Sequence, residues 1–188
     1  MEGGTEMKYI LLVSHGMMAP GLHNALGMLA GENREDILST SLKNGMGADE
    51  FAENVRKCVS VVKEEDELLV FADLIGGSPL TTTADVLASE GLLGQTRMIG
   101  GMNLPLVLSA AVTKDTMDTG EMIDMLIPES REMLQEFTVE AAETEDEIMI
   151  LFAIVTNLLP QSGCEAVPVY AGLCRLMGRR KGRAVANI

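Results

Sequence analysis

Glu67-Leu-Leu-Val-Phe-Ala72, running directly into Asp73-Leu-Ile-Gly-Gly-Ser78-Pro79, has the form of a buried strand that ends in a glycine turn and opens a helix. The run is apolar after its first residue and does not alternate, which suits a strand covered on both faces of a parallel sheet. Ser78 followed by Pro79 reads as an N-cap with Pro at the first helical position, and the helix extends to about Ser89. Asp73 thus falls at the carboxyl end of a strand, where open parallel sheets bind their ligands.

The same strand-to-helix unit repeats on either side. Lys8-Tyr-Ile-Leu-Leu-Val13 is a short apolar strand ending in Ser14-His15-Gly16, and Pro20 to Ala30 reads as a helix closed by Gly31. Asp36–Leu42 is a weaker strand, followed by Asn44-Gly-Met-Gly and a helix from about Asp49 to Lys63. Thr96–Gly100 makes a fourth strand. Asn103–Val112 and Asp118–Gln135 complete the helices, the last interrupted or kinked at Pro128. Regular alternation at this spacing implies right-handed crossovers and an α/β fold: an open, mostly parallel four-stranded sheet with helices on both faces. A flavodoxin-like strand order sets the first strand beside the third and brings His15 within reach of Asp73.

Composition narrows the function. A chain of 188 residues with 47% apolar content suffices for one core plus an extra segment. Aromatic residues are only 3% and Trp is absent, which argues against base-stacking platforms; the 14 Met read as core filler. The net charge of −14 argues against nucleic acid and anionic lipid as partners. That charge is uneven: residues 148–188 contain five cations, Arg175, Arg179, Arg180, Lys181 and Arg183, against the single anion Glu165. Cys58, Cys164 and Cys174 show no CxxC spacing, so neither a disulfide framework nor a zinc site is expected. MEGGTEMKY lacks the regions of a signal peptide and reads as a short leader before Met7, and Ile148–Leu159 is too short to span a membrane. A cytoplasmic location is expected.

His15, Asp73 and the Gly76-Gly77-Ser78-Pro79 helix start together suggest chemistry. An aspartate bonded to one imidazole nitrogen fixes the tautomer, stabilises the cationic ring and leaves the other nitrogen as a nucleophile. Backbone N–H groups at a glycine-rich helix start form a site for a dianion, and phosphoryl transfer needs mainly such positioning and charge stabilisation. Each piece alone is ordinary: a loop histidine, a turn aspartate, a capped helix start. Their coincidence at one sheet edge marks His15 and Asp73 as the candidate catalytic pair and Gly16, Gly76, Gly77 and Ser78 as candidate phosphate-binding residues. No metal or cofactor is expected. His23, inside the first helix, reads as a structural or surface residue, and Asn103 as an N-cap on the same sheet edge.

Val13-Ser-His15-Gly16 with Ala19 and Gly21, then Phe71-Ala-Asp73-Leu-Ile-Gly-Gly-Ser78-Pro79, then Gly101-Met-Asn103-Leu-Pro105 resemble the signatures of the mannose-family IIA component of the bacterial sugar phosphotransferase system (PTS). The resemblance runs from about Met7 to Gln135. It implies a carrier phosphorylated at His15 by HPr that passes the group to a IIB component, serving a IIC/IID permease indirectly. It also implies a homodimer with an exchanged C-terminal strand, for which Ile148–Val155 is the candidate. The expected organisation is a IIA domain over 7–137, an acidic linker over 138–147, and a swapped strand plus basic tail over 148–188. A fused IIB domain would need its own histidine, and the tail contains none.

Three alternatives remain open in sequence. A receiver phosphorylated on Asp73 would need an acidic Mg²⁺ pocket where Ser14-His15-Gly16 stands. The phosphotransfer subunit of dihydroxyacetone kinase shares the first histidine motif. A hydrolase using Ser78 would need Gly where Leu80 closes the motif.

Overall fold

Strands β1 (Lys8–His15) and β3 (Glu67–Ala72) are buried along nearly their whole length, because they lie in the middle of the sheet and both of their faces are covered. The structure is a computed structural model that describes residues 6–138. The other elements are α1 (Met18–Ala30), β2 (Ile37–Leu42), α2 (Ala48–Val59), α3 (Ser78–Ser89), β4 (Thr96–Gly100), α4 (Leu104–Thr113) and α5 (Thr119–Glu132). The strand order is β2-β1-β3-β4, all parallel. The α/β class, the open sheet and the neighbouring first and third strands are therefore as expected from sequence.

Pleating sends successive side chains to opposite faces, and the two resulting cores are distinct. Ile10, Leu12, Leu69, Phe71 and Ile99 pack under α1, α4 and α5 with Leu26, Val107 and Met122. Tyr9, Leu11, Val13, Leu68, Val70 and Ala72 pack under α2 and α3 with Phe51, Val55 and Leu87. Each fully buried Leu, Val or Phe contributes roughly 1.5–3 kcal/mol, so the alternation within β1 and β3 holds helices on both sides of one rigid sheet. That sheet fixes where the ends of its strands lie.

Three local readings need correction. The residue capping α3 is Gly77, with no side-chain cap, and Ser78 is already helical; the chain enters the helix one residue earlier than the Ser-Pro pair suggests. Helix α2 ends at Val59 rather than near Lys63, since Lys63 lies in the turn that leads to β3. Helix α5 runs through Pro128 without interruption. Pro128 is on an exposed stretch of that helix, where a carbonyl deprived of its partner can bond to water. Asn103 does cap α4, its Oδ1 accepting from Leu106 N at 2.9 Å. The linker and tail readings, and with them the exchanged strand, lie outside the described residues apart from residue 138.

A charged cluster ties the opposite, amino end of the sheet. Asp36, just before β2, accepts from Arg34 Nε at 3.0 Å and Nη2 at 2.5 Å, and from Lys114 Nζ, whose side chain is only 3% exposed, at 3.0 Å. Burial alone would raise the Asp36 carboxyl, but the bonds from Arg34 and Lys114 outweigh it and lower it to about 2. Because the folded value lies below the unfolded one of roughly 4, the cluster's contribution is complete above about pH 4 and is lost as pH falls through about 2. Asp36→Asn strips buried Lys114 of one carboxylate, and a loss of about 3 kcal/mol is expected by denaturant unfolding at neutral pH. The gap to wild type should narrow as pH falls below 4; a loss under about 0.5 kcal/mol, the level of an ordinary exposed pair, would overturn this account.

Candidate functional site

Parallel register decides which side chains meet. Val13 lies opposite Ala72, so the residues that follow on each strand emerge together at the carboxyl edge. There the His15 backbone N–H donates to Asp73 Oδ2 at 2.8 Å, and His15 Nδ1 lies 2.9 Å from the same oxygen. The other carboxylate oxygen, Oδ1, accepts from Leu74 N at 2.9 Å. The two residues that sequence singled out as a pair are thus in direct contact from strands not adjacent in the chain.

Burial would raise the Asp73 carboxyl, but the hydrogen bonds from the His15 backbone and ring, the His15 charge and the Leu74 amide together hold it below its ordinary value. An ionised carboxylate only accepts, so the facing Nδ1 must carry a proton, and in the neutral ring it is Nε2 that keeps the lone pair. The His15 side chain is 43% exposed against 11% for Asp73. The arrangement is an anchored imidazole whose remaining nitrogen is open to an incoming electrophile. Since the folded carboxyl is lowered, this pair's contribution persists above about pH 4 and fails as pH drops through the lowered value.

The glycine loop sits against the ring. A Cβ built on Gly77 would lie 3.1 Å from His15 Cε1 and 3.2 Å from Leu74 Cβ, so glycine lets the backbone approach the ring edge between its two nitrogens, where a side chain would press on the ring and on Leu74. Gly76 has φ of +71°, which turns the chain into α3. The first amides of α3 lack helical acceptors, and Ser78 in that first turn is exposed. Free amides and the positive end of a helix dipole are chemically suited to an anion. Two of the candidate glycines already have their amides engaged: Gly77 N–H donates to Leu74 O at 3.4 Å, and Gly16 N–H donates to Leu42 O at 2.9 Å, so that Gly16 shapes the turn after His15 at φ of +59° rather than offering its amide to a ligand.

A residue that sequence reading passed over supports this loop. A Cβ on Gly100, the last residue of β4, would fall 2.9 Å from Ile75 N and 3.0 Å from Ile75 Cα and would overlap the Ile75 side chain. The Asp73–Gly77 loop therefore rests on bare β4 backbone. Gly100→Ala is expected to displace the loop and slow reactions at His15 at least tenfold, since misplacement by about 1 Å can cost 10²-fold. Activity unchanged in a folded variant would show that the loop's seat does not matter. The signal in sequence is the Gly100-Gly101 pair that ends the fourth strand at the same sheet edge.

His23 is apart from this site. Its Nδ1 lies 2.8 Å from Ser39 Oγ, and burial pushes its pKa down, in keeping with a structural residue. Leu74 and Ile75 in the loop and Met17 and Met18 at the start of α1 are exposed apolar residues around His15. Among the described residues no helix is long and apolar enough to cross a membrane.

Comparison with known proteins gives a consistent result. The family model for "PTS system fructose IIA component" matches residues 9–127. The fructose-specific EIIA component of Bacillus subtilis is 23% identical over 126 residues, covering 67% of this chain and 84% of that protein. The sorbose-specific EIIA component of Klebsiella pneumoniae is 27% identical over 120 residues, covering 64% and 84%. The solved mannose/sorbose-specific IIA subunit of Enterococcus faecalis superposes with a TM-score of 0.61 over 71% of this chain and 97% of its own, at 22% identity; at that identity it speaks for the fold.

Proposed function

This chain belongs to the family of PTS system fructose IIA components, and we propose that it carries a phosphoryl group on Nε2 of His15 between HPr and a IIB component. Family membership makes it a phosphotransfer component of a sugar phosphotransferase system. The observation that carries the finer reading is the 2.9 Å contact of Nδ1 with the ionised Asp73, which leaves Nε2 as the nucleophile.

In the forward step the Nε2 lone pair forms a P–N bond to phosphorus as the P–N bond to the HPr histidine breaks, and the bonding pair returns to the donor ring. The Nδ1 proton stays directed at Asp73, whose negative charge offsets the charge that builds on the ring. Amides of the α3 N-terminus and the Ser78 hydroxyl hold the equatorial oxygens. Transfer to a IIB component repeats the step with this chain as donor, and the IIC/IID permease is served indirectly. A receiver-like role is disfavoured because both oxygens of Asp73 already accept N–H donors.

The phosphotransfer unit in this reading spans 7–137, works in the cytoplasm and forms a homodimer; sedimentation as a monomer at micromolar concentration would remove the last element. Relatives named for fructose, sorbose and mannose/sorbose give no ground for assigning one sugar, since the carrier touches phosphate and protein. Incubation with phosphoenolpyruvate, enzyme I and HPr tests the reading by mass spectrometry. One phosphoryl group that is lost in acid and kept in base supports phosphohistidine; no increment on folded protein overturns it.

A further inference from the structure

The turn that bears His15 is bracketed by a hydroxyl that none of the roles above uses. Ser14 is the last residue before His15 and is fully buried. Its Oγ accepts the Ala19 N–H at 2.7 Å and lies 3.3 Å from Ser41 Oγ in β2. Ala19 is in the first turn of α1, whose cap position, Met17, supplies no side-chain bond. The acceptor for this orphan amide therefore comes from the end of β1, five residues back, across the loop that includes His15.

We propose that Ser14 is a positioning residue for phosphoryl transfer: its hydroxyl clamps the start of α1 to the end of β1 and so sets the direction in which His15 presents Nε2. This inference rests on the reading of His15 as the phosphoryl carrier. The backbone around His15 has two other ties, His15 N to Asp73 Oδ2 at 2.8 Å and Gly16 N to Leu42 O at 2.9 Å. Those fix the strand side of the turn, toward β3 and β2. On the helix side Met17 O accepts Gly21 N at 3.0 Å, a bond internal to the first turn of α1; among the described hydrogen bonds it is the Ser14 bond that ties that turn to β1, so without it Gly16 and Met17 can shift with α1 while β1 stays in place. A buried amide left without an acceptor also seeks a new one, and relaxation of α1 is the available route.

Wild type, Ser14→Ala, Ser14→Thr and Ser41→Ala would be compared for the rate of phosphorylation by phospho-HPr and for the ¹⁵N shifts of the His15 ring. The expected result for Ser14→Ala is a rate about tenfold lower and ring shifts moved away from the single Nδ1–H tautomer, with Ser14→Thr restoring both and Ser41→Ala close to wild type. If Ser14→Ala does not fold, Ser14→Cys, similar in size but a weak acceptor, takes its place with the same expectation. A lowered melting temperature with unchanged rate and unchanged ring shifts would reduce Ser14 to a structural residue and overturn the proposal. Failure of wild type itself to accept phosphate would overturn the carrier reading instead, and the ring shifts would still report on Ser14.

Discussion

His15→Gln is expected to abolish acceptance of phosphate from phospho-HPr altogether while leaving the fold intact. The side chain is 43% exposed, so its loss removes little packing, and glutamine can still offer a polar atom toward Asp73. What it cannot offer is a ring nitrogen with a free lone pair, and no other described side chain stands in for Nε2. His23, the only other histidine in the sequence, has its Nδ1 against Ser39 Oγ and belongs to the helix side of β2. Mass spectrometry after incubation with the donor chain should therefore show about one phosphoryl group on wild type and none on His15→Gln. An acid-labile increment that persists in the variant would move the acceptor elsewhere and end the His15 assignment.

Asp73→Asn should leave the fold intact and still lower the phosphorylation rate by about 10²–10⁴-fold, the upper end being the loss of about 10⁴ that follows when an orienting aspartate of a histidine is made neutral. The geometry explains why the change is not mild. One oxygen of Asp73 takes two donors from His15, and the other takes the Leu74 amide. An asparagine has one oxygen and one NH₂, so whichever way it is turned, an NH₂ faces an N–H donor. Turned one way, it loosens the Leu74 turn and with it the glycine loop; turned the other, it releases Nδ1 and allows the proton to move to Nε2, where it blocks the nucleophile. The charge that offsets the phosphorylated ring is lost in both cases. Single-turnover rates with phospho-HPr in excess would measure this directly. A decrease of less than threefold would mean that Asp73 merely completes the turn.

These two residues illustrate how much of the site is written in the sequence. The apolar runs of β1 and β3 and the Gly-rich breaks after them are local features, and local features are sufficient to place strand ends. A parallel α/β topology then puts all such ends on one edge. That is why His15 and Asp73, 58 positions apart, could be paired from sequence. Their contact follows from the register Val13 to Ala72, and the order β2-β1-β3-β4 supplies the adjacency.

Sequence by itself determined the alternation of elements, the class of fold, the strand-end histidine and aspartate, and the glycine-rich helix start, because each is written in neighbouring residues through hydrophobic pattern, turn chemistry and capping. Only the tertiary structure decided that Gly77 rather than Ser78 caps α3, that the Gly16 amide is already taken by Leu42, that Gly100 is bare so that Ile75 can rest on it, and that Ser14 bonds to Ala19. The physical reason is common to all four. Each depends on a hydrogen bond or a close approach a few tenths of an ångström in tolerance, set by how β1, β2, β3 and β4 stack their ends beside the helices, and no residue's own neighbours in the chain encode that distance.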